Sequence, residues 1–600
     1  MKSAIGMHRQ LPTLLIDGVP TPAVAYTTYF EERSCYADFL AAGYRIFFVN
    51  ASFTALPINS QTTGFTPFRV GVFEKMDAPD YSDLDSAIAK ILASCPDALI
   101  FPRIDVSMPK WWIDSHPEDI TLTPKGGYRE MLFSKAFRED GAALLRRLIA
   151  HVQQADYSHR IAGWQICGGA TQEWMHHDAA GSLSPAAAAP YRRFVKEKYG
   201  IEDAVLPQPS DFTYRGEVEN TCENAVRYAE FCSIEVAKTI AHFAKTVKEA
   251  TGRAQVVGLF YGYANFVSAP LSGTHALRCL LDSPDIDFFS SPNSYHRNRA
   301  LGIDWADMLP VDSVKLHQKL CFIECDIRTH LTTALQEARP GEYPEGYYAL
   351  ESKGMPTVWA GPKTEQLSLE ALRKCFAHQL TRGSGLWWFD MWGGWYASPA
   401  MMAELKRLCG IYADSLNSSR QAPCAEIVCF SDERAYARLC FKSPLYDAVR
   451  HTLTALCSAG APFDCCTVED APRVLKQYKA AIFPTLVPSA AGREAMALCR
   501  AYGIPYLCAS VEHPSLTSEE LLAFSRAAGV HIFESAHDVL YVGNGYLALH
   551  AATGGEKQIN LPARYRVTPL FGSSAPETVT DTLVFDLAQY QTVLFRLQSV

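Results

Sequence analysis

The sequence predicts an α/β protein: a (β/α)8 TIM barrel followed by a flavodoxin-like α/β domain and a small antiparallel β domain. Three observations carry this. Between residues 22 and 396, eight apolar runs alternate with helix-like stretches. The runs are nearly continuous rather than alternating, as expected of parallel strands buried on both faces. Beyond a polar linker near residue 420 the alternation resumes, and from about residue 537 the apolar period shortens to two. A doubly wound open sheet is the alternative for the first region.

The predicted barrel strands are PAVAYTTYF (22–30), YRIFFVNAS (44–52), DALIFPRIDV (97–106), IAGWQICGG (161–169), QVVGLFYGY (255–263), IDFFSSPNSY (286–295), KLCFIECDIR (319–328) and GLWWFDMWGGWY (385–396). Helical periodicity fills several gaps, as in REDGAALLRRLIAHVQQA after the third strand and SLEALRKCFAHQLTRG before the eighth. The long stretch NAVRYAEFCSIEVAKTIAHFAKTVKEATG has apolar residues at i, i+3 and i+4 and stops at Gly252. After the linker, AEIVCFS, KAAIFPTLV and IPYLCAS read as strands between helices, with no Gly-rich phosphate loop. The expected partition is a catalytic barrel at 1–415, a flavodoxin-like domain at 421–535 and a C-terminal β-sandwich at 536–600.

At 600 residues the chain exceeds one ordinary domain. The net charge of −9 and scattered Lys and Arg speak against nucleic acid as a partner. No apolar run has membrane-spanning length, and the N-terminus lacks a signal-peptide core, so a cytoplasmic protein is expected. The 18 cysteines contain no CxxC pair, which predicts free thiols and no structural metal. His176, His177 and Asp178 resemble a metal cluster but lie in a run of small residues that reads as a solvated loop. All ten tryptophans fall between Trp111 and Trp395, which points to the barrel as the place for a ring-shaped ligand.

In a barrel, function belongs to the C-terminal ends of the strands. Those ends present Asn50, Arg103 with Asp105, Gln172 with Glu173, Tyr261 with Tyr263, Asn293 with Tyr295, Glu324 with Asp326 and Arg328, and Trp388, Asp390 and Trp392. Glu173 and Glu324 are carboxylates in apolar, tryptophan-bearing surroundings. A facing pair of carboxylates is what glycoside hydrolysis needs: one protonates the leaving oxygen, the other attacks or activates water. The bland alternatives are a surface glutamate at 173 and an ion pair of Glu324 with Arg328 or Arg103.

The segments AGWQICGGATQEW, YRRFVKEKYG, CFIECDIRTHL, GLWWFDMWGGWY and FPRIDVSMPKWWIDSHPE, in this order, resemble glycoside hydrolase family 42 β-galactosidases and related retaining clan A glycosidases. The resemblance implies a retaining exo-β-glycosidase with no cofactor, acting on an oligosaccharide or glycoside as a homotrimer held by the flavodoxin-like domain. It makes Glu173 the general acid/base and Glu324 the nucleophile. Tyr295 lies beside the nucleophile, Trp388 or Trp392 forms a sugar platform, and Arg103 and Asn50 are polar contacts in the sugar subsite. Two departures stand out. Gln172 occupies the place of the clan's Asn, whose amide contacts the sugar 2-hydroxyl, so β-mannoside competes with β-galactoside. The zinc-binding cysteine cluster of some family members is missing, which fits a sister family. A non-catalytic carbohydrate-binding protein is the alternative from another class.

Overall fold

A computed structural model describes every residue except 57–65, 124–126, 171, 177–182, 213–218, 266–269, 343–360, 419–423 and 441–445. Eight strands close into a barrel: Val24–Thr27, Ile46–Ser52, Leu99–Asp105, Gly163–Cys167, Val256–Phe260, Phe288–Ser290, Leu320–Cys325 and Gly385–Phe389. Each pairs in parallel with its sequence neighbour, and the eighth returns to the first through Leu386–Val24 to Phe389–Thr27. Closure excludes the open-sheet alternative. All eight predicted strands are present, because strands covered on both faces must be apolar along their length.

The period of two sorts each strand into an inner and an outer row. Phe48, Phe101, Phe288, Phe322 and Trp387 meet inside the barrel with ring centroids 5.2–5.8 Å apart in the closest pairs. This aromatic floor forces glycine elsewhere in the same layer. A Cβ at Gly163 would stand 2.3 Å from the Phe101 ring, and one at Gly258 2.0 Å from Phe288. Two residues further along, the same inner rows carry Asn50, Arg103 and Glu324. The floor thus supports a polar layer at the C-terminal mouth.

Helices pack outside. Lys135–Gln154 begins at Ser134, whose hydroxyl accepts from the Phe137 amide at 3.1 Å. Glu365–Arg382 ends at Gly383 in the left-handed region. An unpredicted antiparallel sheet, Ser3–His8, Leu11–Ile16 and Val19–Pro20, lies at the opposite end of the barrel. Its Ser3 hydroxyl donates to the Ala162 carbonyl and accepts from the Val256 amide at 2.8 Å, tying it to the starts of the fourth and fifth strands.

The following strands Phe463–Thr467, Ile427–Ser431, Ala480–Phe483 and Tyr506–Cys508 form a parallel sheet in that spatial order, the flavodoxin-like domain. The chain ends in a five-stranded antiparallel sheet. Where two stacked sheets were expected, the strands form one continuous sheet. Its 17-residue strand Gly555–Phe571 pairs with Thr578–Leu587 and, over its second half, with Thr592–Ser599. The sheet docks on the barrel helix Glu365–Arg382, where the Glu370 carboxylate accepts from the Thr592 amide at 2.7 Å. Among the described residues no helix is long and apolar enough to cross a membrane.

Candidate active site

The fourth strand ends in a sharp reversal. Gly169, Gln172 and Trp174 have φ of +69°, +67° and +59°, and the Ala170 amide bonds the Met175 carbonyl at 3.0 Å. Left-handed backbone at a non-glycine residue costs about 1 kcal/mol or more, so packing must hold this turn. Trp174 does so. Its buried indole donates to the Ile166 carbonyl at 3.1 Å and packs on Phe243 and on Gly168, where a Cβ would meet the ring at 2.9 Å. Trp174 is thus the wedge that fixes the turn. The turn presents Gln172 and Glu173 together, both buried. The hydroxyl of Tyr263, beyond the fifth strand, hydrogen-bonds to the Glu173 carboxylate.

Glu324 enters from the seventh strand, its amide bonded to the Ser291 carbonyl at 2.9 Å. It is 3% exposed. Burial pushes its carboxyl well above the ordinary range. The charge of Asp326 adds to this, Arg103 opposes it, Glu173 adds again, and Arg299 opposes. Glu173 and Glu324 therefore share one electrostatic environment, and both act on Tyr263 and Tyr295.

The surrounding groups hold this pair. Asp326 is ion-paired with Arg299 and with Arg328 at 3.1 Å, and it accepts from the Tyr295 hydroxyl at 3.3 Å. The ion pair of Glu324 with Arg328 raised as an alternative is thus absent: Arg328 pairs with Asp326. Arg103 donates to the Tyr29 hydroxyl and to Asn50 Oδ1, both at 3.1 Å. Its guanidinium is 5.6–5.9 Å from the rings of Trp387, Phe260, Tyr29 and Phe389, an aromatic setting that partly offsets the cost of burying the charge. Asp105 bonds the Ser107 amide at 2.9 Å and not Arg103.

Among the predicted site residues, Glu173, Glu324, Gln172, Arg103 and Tyr295 come together at the mouth. Trp392 stacks on Tyr29 at 6.0 Å, on the edge of this group. Asn50 reaches the group but spends its amide internally, on Thr27 Oγ1 at 3.1 Å, the Thr28 carbonyl at 2.9 Å and Arg103. It holds Arg103 in place. Trp388 does not belong. It lies on the outer row of the eighth strand, fully buried, with its indole donating to the Tyr44 hydroxyl at 2.9 Å. The expected sugar platform at Trp388 is therefore a core residue, because Trp387 and Phe389 take the inner row. Asp390, pushed up to about 6 chiefly by burial, accepts from Tyr26 and from the amides of Gly394 and Trp395 and fixes the loop after that strand. Tyr261 bonds Gly273 and Ala276 within the core.

Tyr29, Tyr263 and Arg299 are site residues that sequence reasoning missed or left undecided. Tyr29 ends the predicted first strand, so reading the end of that strand as well would have found it. A cavity of about 300 Å3 opens against Tyr29 and Asn50 and is lined further by Glu32, Arg69, Asp83 and Arg339; neither catalytic candidate lines it. Of the suggested metal cluster, His176 is buried against Phe133, while His177 and Asp178 lie outside the described residues. Among the described residues no group of three His, Cys, Asp or Glu side chains is placed to hold a metal.

A closed barrel with a flavodoxin-like sheet and a terminal β domain defines a three-part architecture also found in solved glycosidases. The chain resembles family 42 β-galactosidases in fold. It superposes on the cold-adapted β-galactosidase of Rahnella sp. R3 with a TM-score of 0.63 at 11% identity, covering 100% of both chains. A catalytic mutant of a family 42 β-galactosidase from G. stearothermophilus gives 0.61 at 10% identity, covering 96% of this chain and 98% of that one. A family 42 exo-carrageenase from Bacteroides ovatus gives 0.60 at 12% identity, covering 100% and 85%. No family model and no curated protein matches the sequence.

Proposed function

We propose that the protein is a retaining exo-β-glycosidase, β-galactosidase-like in its reaction. Glu324 attacks the anomeric carbon to form a glycosyl-enzyme. Glu173 protonates the leaving oxygen and then deprotonates the incoming water. The observation that carries this reading is the joint burial of Glu173 and Glu324 at the ends of the fourth and seventh strands, with the charge of Glu173 acting on Glu324. Tyr263 steadies the acid/base, and Arg103 and Arg299 supply the positive field that opposes protonation of the buried nucleophile. All 18 cysteines are free, which supports a reducing compartment such as the cytoplasm.

Gln172 favours a second reading within the same mechanism, a β-mannosidase. Its amide stands where a sugar 2-hydroxyl is read, and its extra methylene suits a hydroxyl displaced from the equatorial position. A panel of 4-nitrophenyl β-glycosides separates the two. Glu324→Ala is expected to lower turnover at least about 10⁴-fold on every substrate. Glu173→Ala should lose far less on nitrophenyl than on alkyl glycosides, since a good leaving group needs no proton. Full activity in Glu324→Ala would falsify the assignment.

A further inference from the structure

We infer that Tyr29 is a positioning residue that sets the polarity of Gln172, so that the substrate group meeting Gln172 must be a hydrogen-bond acceptor. The inference deepens the glycosidase reading and rests on it for the nature of the ligand.

The direction of the hydrogen bonds follows from which groups can only donate or only accept. The Thr28 carbonyl accepts from the Asn50 amide nitrogen at 2.9 Å, so the Asn50 oxygen faces the other way, towards Arg103. A guanidinium only donates. Arg103 Nη1 gives one hydrogen to Asn50 Oδ1 and the other to the Tyr29 hydroxyl. Tyr29 in turn directs its single hydrogen to Gln172 Oε1 at 2.8 Å. The Gln172 oxygen is thus engaged by the Tyr29 phenol. Its NH2 group is left pointing elsewhere, and among the described residues it has no partner.

Tyr29 is held firmly enough to impose this. Its ring stacks on Trp392 at 6.0 Å and 30° and meets Phe389 and Phe68 edge-on at 5.0 and 5.9 Å. Burial keeps its phenol protonated, so it remains a donor at any working pH. Gln172 itself sits on strained backbone in a turn wedged by Trp174, so main chain and side chain are both fixed before a ligand arrives. The donor aimed at the substrate suits a neutral hydroxyl, whose oxygen accepts from Gln172 while its own hydrogen remains for a carboxylate. A 2-amino sugar in its ammonium form offers only N–H bonds there and is rejected.

The test uses the full-length enzyme and two 4-nitrophenyl β-glycosides of the sugar it cleaves fastest, one with the 2-hydroxyl and one 2-deoxy. Tyr29→Phe is expected to lower kcat/KM on the 2-hydroxy substrate by about 10- to 50-fold, mostly in kcat, with a loss at least tenfold smaller on the 2-deoxy substrate. Tyr29→Phe combined with Gln172→Ala should be no worse than Gln172→Ala alone. Equal losses on both substrates, or additive losses in the double variant, overturn the inference. Crystal structures of wild type and Tyr29→Phe supply an arm independent of turnover. Release of the Gln172 side chain into other rotamers supports the positioning role, and an unchanged Gln172 refutes it. If wild type cleaves no glycoside, the glycosidase reading fails, while the crystallographic arm still decides whether Tyr29 positions Gln172.

Discussion

In the proposed mechanism Glu324 attacks as a carboxylate, yet burial and two neighbouring carboxylates favour its protonated form. Arg103 and Arg299 are the groups that oppose this. The pH dependence follows with a definite sign. A nucleophile with a raised pKa loses its ionised fraction as pH falls through that value, so on the proposed mechanism Glu324 is expected to govern the acid limb of kcat/KM. Removing a positive charge raises the pKa further. Arg103→Met should therefore move the acid limb to higher pH, beyond whatever it costs in rate at the optimum. A pH–rate profile checks this, and an acid limb that stays put or moves to lower pH would show that Arg103 does not act on Glu324. The contrast with Asn50 is instructive. Its place at a strand end was legible in the sequence, but its NH2 group is spent on Thr27 and Thr28 and its oxygen already accepts from Arg103. Strand position identifies which residues reach the mouth; only the hydrogen-bond inventory tells which still have a bond to offer.

Among the elements, the barrel strands were readable because parallel strands covered on both faces have no polar row to blur the signal. The N-terminal sheet was not. Its first hairpin turns through Arg9 and Gln10 with φ of +48° and +71°, where glycine or asparagine would be the usual marker. Its second, Asp17–Gly18, carries the expected turn residues but joins strands too short to stand out. Inside the barrel, Gly163 and Gly258 each make room for a phenylalanine of the floor. Gly258→Ala would force its methyl against Phe288, so a loss of about 1–3 kcal/mol in stability is expected. Because Phe288 is the obstacle, Phe288→Leu should recover part of that loss in the Gly258→Ala background while costing stability alone. Denaturation of the four proteins of the cycle measures the coupling; strictly additive effects would mean that the two side chains do not contend for the same space.

At the scale of the whole molecule, the barrel and the terminal sheet meet around a buried lysine. Lys374, on the helix Glu365–Arg382, is fully buried, with its Nζ 3.5 Å from the centre of the Trp305 ring and no hydrogen-bond partner among the described residues. Burial lowers its pKa from 10.5 to about 7, with Asp304 and the thiols of Cys375 and Cys457 acting weakly the other way and Arg299 with it. His550 of the terminal sheet also feels Lys374, and Tyr541, which donates to Asp304, stacks on His378 of the same helix. The consequence for stability follows from proton counting. Between about pH 7 and 10.5 the unfolded chain keeps the lysine proton while the folded chain has released it, so stability rises with pH across that window. Below about pH 7 both states hold the proton, and the folded state carries the full cost of an unpaired buried charge. His550 is held neutral and contributes a separate rise that ends near pH 6.5, so the two effects occupy different windows. Lys374→Met removes the charge and keeps the volume. It should raise the melting temperature by several degrees at pH 6, and the gain over wild type should shrink steadily towards pH 10. A gain independent of pH would assign the effect to packing alone, and a loss at pH 6 would mean that the ammonium is paired in the folded protein and that the junction depends on its charge.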